Sequence, residues 1–233
     1  MGKFLIEPHL HTTYISRCGW MGAEGIISLY RERGYSALCV TDHYNRTCFD
    51  YAGINLHAPG SKTEDFLRGY RFLKREAEEN GIRVYEGAEV RFDGSENDYL
   101  LFGFHHDLLA DPEQVMRGGL AAFCRACRED GALLIQAHPY RKNCVPAPAE
   151  LLDGMEVCNC NPRHENYNEL ALCYAKEHRL LMLAGSDFHR PGDEGTAGIV
   201  AEELPEDGFE FADMIRSGQY QLAVPEEEMH EVL

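Results

Sequence analysis

The sequence predicts an α/β fold, a distorted seven-stranded β/α barrel, and two features predict it. Seven short apolar runs alternate with helical or irregular stretches, as a βα repeat with a parallel sheet requires. Most of those runs end in His, Asp or Glu. Strand ends can bring such side chains to one point only around a ring, which is where a β/α barrel gathers its chemistry.

The first strand, residues 4–6, runs on through Glu7 and Pro8 to His9 and His11. Side chains two apart in an extended chain share a face, so these two imidazoles project together. Ala23, Ile26, Ile27 and Tyr30 then fall at helical spacing, and Gly34 closes that helix. Residues 37–40 form the second strand and lead to Asp42 and His43. Residues 44–60, with Gly, Pro, Asn and little periodicity, read as a long loop. Ser61 and Glu64 make a capping box for a helix with Phe66, Tyr70, Leu73 and Ala77 inward, stopped by Gly81.

The third strand starts at Arg83 and carries Glu86 and Glu89. Glu89 lies between Ala88 and Val90, and a carboxylate in an apolar setting needs a cation. Residues 99–104 are the fourth strand, which ends in His105 and His106. Asp111 and Pro112 cap and start a helix with Met116, Leu120, Phe123 and Cys127 inward, and Gly131 stops it. The fifth strand, residues 132–135, leads to His138, Pro139 and Arg141. The sixth, residues 155–158, ends at Asn159 and is followed by a helix with Tyr167, Leu170, Ala171 and Tyr174 on one face. The seventh, residues 180–184, ends in Ser186, Asp187 and His189. Beyond Pro191 come a loop, a helix around residues 211–215 and an apolar stretch at 220–224. Without linker-like composition inside, residues 1–233 read as one domain, its core at about 3–224 and an acidic tail at 225–233.

Composition narrows the function classes. Lys and Arg number 22 against 39 Asp and Glu, a net charge of −17, which argues against long nucleic acid or an anionic membrane as partner. Part of that excess suits carboxylates gathered around cations that the formal count omits. The nine cysteines follow no disulfide-framework spacing. With no apolar run of membrane length and no signal peptide, they read as reduced thiols of a cytoplasmic protein. Cys124 and Cys127 read as packing within a helix, and Cys158 and Cys160 are read the same way.

The strand-end inventory is His9, His11, His43, Glu89, His138, Asp187 and His189, with Cys18, Asp42, His105 and His106 in reserve. Any one histidine alone reads as an ordinary hydrogen-bonded residue; seven strand-end positions together read as a metal site. Mixed imidazole and carboxylate ligation suits Zn²⁺, Mn²⁺ or Fe²⁺, whereas calcium takes oxygen alone. About four ligands saturate one cation, so more than one divalent ion is expected, with Glu89 and Asp187 as candidate bridges.

In order along the chain, His9-x-His11, Thr41-Asp42-His43, Gly87-x-Glu89, Ala137-His138-Pro139-x-Arg141 and Gly185-Ser186-Asp187-x-His189 resemble the motifs of the polymerase and histidinol phosphatase (PHP) superfamily, over about residues 4 to 190. The resemblance implies a distorted barrel with a two- or three-metal centre that hydrolyses phosphate esters. It implies one metal shared by His9, His11, Glu89 and Asp187 and another by His43 and His189. His138 then completes a third site or faces the substrate phosphate, and where it is not a ligand it is the candidate general acid. Where relatives carry an aspartate or histidine after the first motif, this chain has Cys18, and His106 stands where many relatives have a fourth-strand ligand. The expected reaction is attack of a metal-bridging hydroxide on a small phosphomonoester, histidinol-phosphate-like or nucleotide-type. Arg141 is expected on the phosphate, with Arg163 and Arg190 behind it. A phosphodiesterase or nuclease working on short nucleotide ends, a non-catalytic metal-binding scaffold and an amidohydrolase are the other readings.

Overall fold

The computed structural model describes residues 3–225, so the acidic tail expected at 225–233 lies, but for its first residue, outside the described residues. Ten strands form one sheet: β1 (Phe4–Leu10), β2 (Ala37–Val40), β3 (His43–Tyr44), β4 (Arg83–Arg91), β5 (Asp98–Phe102), β6 (Leu133–Gln136), β7 (Gly154–Asn159), β8 (Leu181–Gly185), β9 (Gly198–Ala201) and β10 (Tyr220–Ala223). The helices are α1 (Ala23–Glu32), α2 (Arg46–Ala52), α3 (Thr63–Phe66), α4 (Arg68–Asn80), α5 (Pro112–Asp130), α6 (Asn168–His178) and α7 (Gly208–Ser217). The sheet runs β10-β9-β1-β2-β4-β5-β6-β7-β8, with β3 set beside β4.

This path curls into a nearly closed barrel. The chain just past β8 bridges back to β1 at Phe188 and Leu10, where His11 N–H donates to the Phe188 carbonyl at 2.9 Å. Nearer its start β1 pairs instead with β9, through Phe4, Leu5 and Ile6. One edge of β1 therefore serves two neighbours, β9 below and the end of β8 above.

The all-parallel expectation fails at β5, which runs antiparallel to both β4 and β6. Only residues 92–97 join β4 to β5, too few for the crossover that a parallel pair needs. The reversal decides which end of β5 faces the ligand-bearing rim. Two expected loops also contain structure: α2 lies within residues 44–60, capped by the Asn45 side chain on Cys48 N–H, and β9 lies beyond Pro191. The capping box at Ser61 does not form; Lys62 takes the cap position and α3 breaks at Leu67 before α4 begins. Asp111 caps α5 as expected, by accepting from Gln114 N–H, and Gly131 ends that helix at φ 85°. On α6 the buried face is Ala171, Leu172 and Ala175, while Tyr167 and Leu170 are exposed.

A bulge between Glu7 and Leu10 resets the alternation along β1. Leu5 and Leu10 both pack outward with Ile26, Ile27 and Leu73, under α1 and α4. Ile6 joins the interior cluster of Tyr85, Phe102, Leu133, Ile135 and Leu183. An even alternation cannot place both Leu5 and Leu10 outside, so the bulge is what leaves His9 and His11 facing in. Phe211, Ala212 and Ile215 of α7 close the interior cluster at the end of the barrel away from the histidines. Each fully buried side chain of this size stabilises the fold by ~1.5–3 kcal/mol.

Cys158 and Cys160 are joined in a disulfide, against the expectation of packed thiols. They flank one strand-end residue with Cα atoms 5.8 Å apart, a separation that a disulfide spans. Seven cysteines, Cys18 among them, are free. Among the described residues no helix is long and apolar enough to cross a membrane.

Candidate metal centre

Seven of the strand-end residues expected at the site are brought together: His9, His11, His43, Glu89, His138, Asp187 and His189. Their side-chain nitrogens and oxygens fall into compact sets of three, each within 4.8 Å: His11, His43 and His189; His9, Glu89 and His138; His9, His11 and Asp187; and His43, Glu89 and Asp98. All are buried except His43, which is partly so.

Glu89 is the hinge of the arrangement, and its two oxygens face different partners. Oε1 lies 3.0 Å from His138 Nε2 and 3.4 Å from His9 Nε2. Oε2 lies 2.7 Å from His43 Nδ1 and 3.3 Å from His11 Nε2. Asp187 divides its oxygens differently: Oδ1 faces His9, His11 and His189 at 3.3–3.4 Å, and Oδ2 accepts from Arg141 Nη2 at 2.7 Å.

Three of the five imidazoles have one nitrogen committed to an orienting partner. His9 Nδ1 donates to Glu156 Oε1 at 2.9 Å. Ser16 Oγ donates to Asp42, so it accepts from His11 Nδ1 at 3.2 Å. His189 Nδ1 donates to the Asp187 carbonyl at 2.8 Å. The freed His9 and His11 Nε2 atoms then meet at 3.1 Å, where two lone pairs repel unless a proton or a cation lies between them.

That observation is the test of whether a metal fits, and four orphaned atoms strengthen it. His43 Nδ1, Glu89 Oε2, His138 Nδ1 and Asp187 Oδ1 are buried without a well-directed hydrogen bond, His43 Nδ1 and Glu89 Oε2 lying 2.7 Å apart but out of line. Such a cost is borne where a cation completes the set. The residues fit divalent cations with mixed nitrogen and oxygen ligation.

Without a cation the cluster leans on protons. Burial works against a charge on His9, yet the carboxylates of Glu156, Asp187 and Glu89 hold its imidazole well above the ordinary range. Burial and the neighbouring His189 and His43 push His11 well below it. Glu89, against its own burial, is held low by His43 and His9. Asp187 is likewise held low, by His9 and Arg141. Metal uptake therefore releases protons from the imidazoles.

Three residues that sequence reasoning passed over belong to the site. Asp98, at the start of the reversed β5, joins His43 and Glu89 and is ion-paired to Arg91. Glu156 holds the His9 ring and accepts from the His138 and Asn159 N–H groups, each at 2.9 Å. Asn159 bonds Asp187, Glu156 and Arg141 together. Asp-Gly at 93–94 was the available signal for Asp98, since that dipeptide marks a hairpin and hence a reversed strand. His138 at φ 27° and Asp187 at φ 50° hold left-handed backbone, which side-chain-bearing residues adopt only where surroundings enforce it.

His106 is a correction. The reversal of β5 carries its far end, and His106 with it, away from the centre. His106 lies near the surface against Glu86 at 3.2 Å and Glu64 at 3.3 Å. His105 is exposed beside Asp130. His106→Ala is expected to leave metal content after dialysis unchanged by elemental analysis; loss of one equivalent would return the fourth strand to the centre. Asp42 serves the loop after β1, accepting from Thr12 N–H and from the Thr12 and Ser16 hydroxyls, each at 2.7 Å. Cys18 stands at the mouth, its thiol brought down to about 6 by the adjacent His43 and His189 although burial pushes the other way.

A cleft of about 350 Å³ opens over the cluster, lined by His43, His138, Asp187 and His189 together with Arg91, Arg141, Arg163 and Arg190. The larger groove of about 850 Å³, beside Lys3, β10 and α7, holds none of the candidate ligands. Arg141 is fixed at the cleft by Asn166, Asn159 and Asp187. Arg163 pairs with Asp193, and Arg190 lies over the Trp20 ring.

The family model described as PHP domain matches residues 7–203. No curated protein matches the sequence. Among solved structures, a two-domain protein from Bacteroides vulgatus ATCC 8482, described as containing a predicted PHP-like metal-dependent phosphoesterase, superposes at TM-score 0.69 with 16% identity, covering 99% of this chain and 69% of that one. PsfC from Pseudomonas syringae PB-5123 gives 0.66 with 15% identity, covering 100% and 96%. The lesion-specific endonuclease PfuEndoQ from Pyrococcus furiosus gives 0.58 with 16% identity, covering 95% and 58%. At these identities the likeness is one of fold.

Proposed function

Because this chain belongs to the PHP domain family, we propose that it is a metal-dependent hydrolase of phosphate esters acting on a small phosphomonoester. The observation that carries this reading is Glu89, whose two carboxylate oxygens face two different pairs of imidazoles. A carboxylate so placed would serve two cations. His9 and His138 flank the first position, and His11 and His43 the second. His189 would join His11 and His43 at the second position and Asp98 would extend it, while Asp187 lies with His9 and His11, between the two. Divalent cations, when bound, supply Lewis acidity toward phosphoryl oxygens and make water a nucleophile at neutral pH.

The protein's own groups do the rest. Glu156, Ser16 and the Asp187 carbonyl fix the tautomers of His9, His11 and His189, so each presents a lone pair to the centre. Arg141 presents a planar guanidinium at the cleft beside Asp187, placed to hold a substrate phosphate. His138 turns Nε2 to Glu89, which supports a ligand role over that of general acid. The expected partner is a small phosphorylated molecule: the cleft of about 350 Å³ suits one, and a net charge of −17 disfavours a long nucleic acid.

The test is a panel of phosphomonoesters, phosphodiesters and amides, assayed with Mn²⁺, Zn²⁺ or Fe²⁺. Phosphate release from monoesters, lost on chelation and restored by metal, is the expected result. Turnover confined to diesters or amides would replace the substrate class. No turnover with metal loaded would leave the scaffold reading.

A further inference from the structure

Trp20 is the only tryptophan in the chain, and it is 66% exposed. No other large apolar side chain among the described residues is left so open. It lies on the wall of the cleft that holds His43, Asp187 and His189. Its position is fixed from behind. Trp20 N–H donates to the His189 carbonyl at 2.8 Å, which ties the loop to a candidate ligand. Gly19 presses so close to the Thr12 carbonyl oxygen that a Cβ there would meet it at 2.5 Å. The guanidinium of Arg190 lies over the indole, 5.1 Å from the ring centre.

The arginines of the cleft divide into two kinds. Arg91, Arg141 and Arg163 each pair with a carboxylate, whereas Arg190 has none among the described residues. The cleft mouth therefore offers one open aromatic plane backed by one uncompensated cation. Phosphate recognition needs positive charge, and an indole has none; its Nε1–H can donate from the ring edge, but its open face offers an anion no donor. What an indole face binds is another planar ring, by stacking, with the guanidinium adding to the attraction.

We propose that Trp20, backed by Arg190, determines specificity by stacking a planar aromatic ring carried on the alcohol side of the phosphoester. This rests on the phosphoesterase reading and names its substrate class. The substrate then lies with its phosphate over the metal cluster and its ring against the indole at the mouth.

The experiment compares 2-phenylethyl phosphate with 2-cyclohexylethyl phosphate, whose leaving alcohols are alike and whose rings differ in planarity. Wild-type kcat/KM is expected to favour the phenyl ester by roughly 2- to 12-fold, the part of an aromatic pair's attraction that exceeds simple area burial. Trp20→Ala and Trp20→Leu should bring the ratio close to one, and Trp20→Phe should keep most of it. Because Trp20 is exposed, these variants are expected to fold as the parent does. As the sole tryptophan it also reports binding directly. The fluorescence of Zn²⁺-loaded protein should change saturably with 2-phenylethylphosphonate and little with methylphosphonate. An unchanged ratio in Trp20→Ala, equal ratios in Trp20→Leu and Trp20→Phe, or no fluorescence response would overturn the proposal while leaving the phosphoesterase reading in place. No turnover of either ester would overturn the proposal, and with no phosphate release across the wider panel of phosphoesters it would overturn both.

Discussion

Glu89→Gln is expected to release more than one equivalent of bound divalent metal and to cut phosphoester hydrolysis by well over the roughly 10- to 100-fold that losing an outer partner of a metal ligand costs. The substitution keeps size and shape. It removes the charge and turns one oxygen into an amide donor, which cannot face an imidazole lone pair and a cation at once. Both oxygens matter, since Oε1 sits with His9 and His138 and Oε2 with His11 and His43. The fold should survive, because the surrounding apolar packing of Ala88 and Val90 is untouched. Elemental analysis after identical dialysis reads the outcome. Loss of a single equivalent makes Glu89 a terminal ligand, and loss of none moves the centre elsewhere.

Arg141→Ala is the second large effect. Removing its guanidinium takes away the proposed phosphate contact, worth ~2–4 kcal/mol or roughly 30- to 1000-fold in turnover. It also frees Asp187 Oδ2, which keeps only Asn159 as partner. Metal affinity should therefore weaken by roughly 10- to 100-fold, as for other outer-partner losses. Assay at saturating metal separates the two roles. A turnover defect that persists there belongs to the phosphate, whereas full recovery assigns Arg141 to orienting Asp187. Arg141→Lys should recover little in either case, because one ammonium cannot serve Asn166, Asn159, Asp187 and a phosphate in one plane.

Much of the site was legible because a barrel concentrates chemistry at strand ends, and the side chains that do it are conspicuous there. His9 and His11, His43, Glu89, His138, Asp187 and His189 could all be named from their position after apolar runs. What escaped was set by direction and by pairing. Asp98 opens a strand instead of ending one, so only knowledge that β5 runs backwards places it at the rim. The same reversal removes His106, which looked like a ligand only while β5 was read as parallel. Glu156 lies inside a fully buried strand, and nothing in the local pattern reveals that its carboxylate holds a histidine on another strand. The bulge in β1 was equally silent, although it is what directs His9 and His11 inward. Distant pairing also placed β9 against β1, a contact about two hundred residues apart that periodicity alone does not register.

If Glu89 stands between two cation positions, crystals equilibrated with Mn²⁺ will reveal both by anomalous diffraction. The expected map shows separate peaks on the two oxygens of Glu89, one beside His9 and His138 and one beside His11 and His43. A single peak bound to one oxygen, or density away from Glu89, would contradict it.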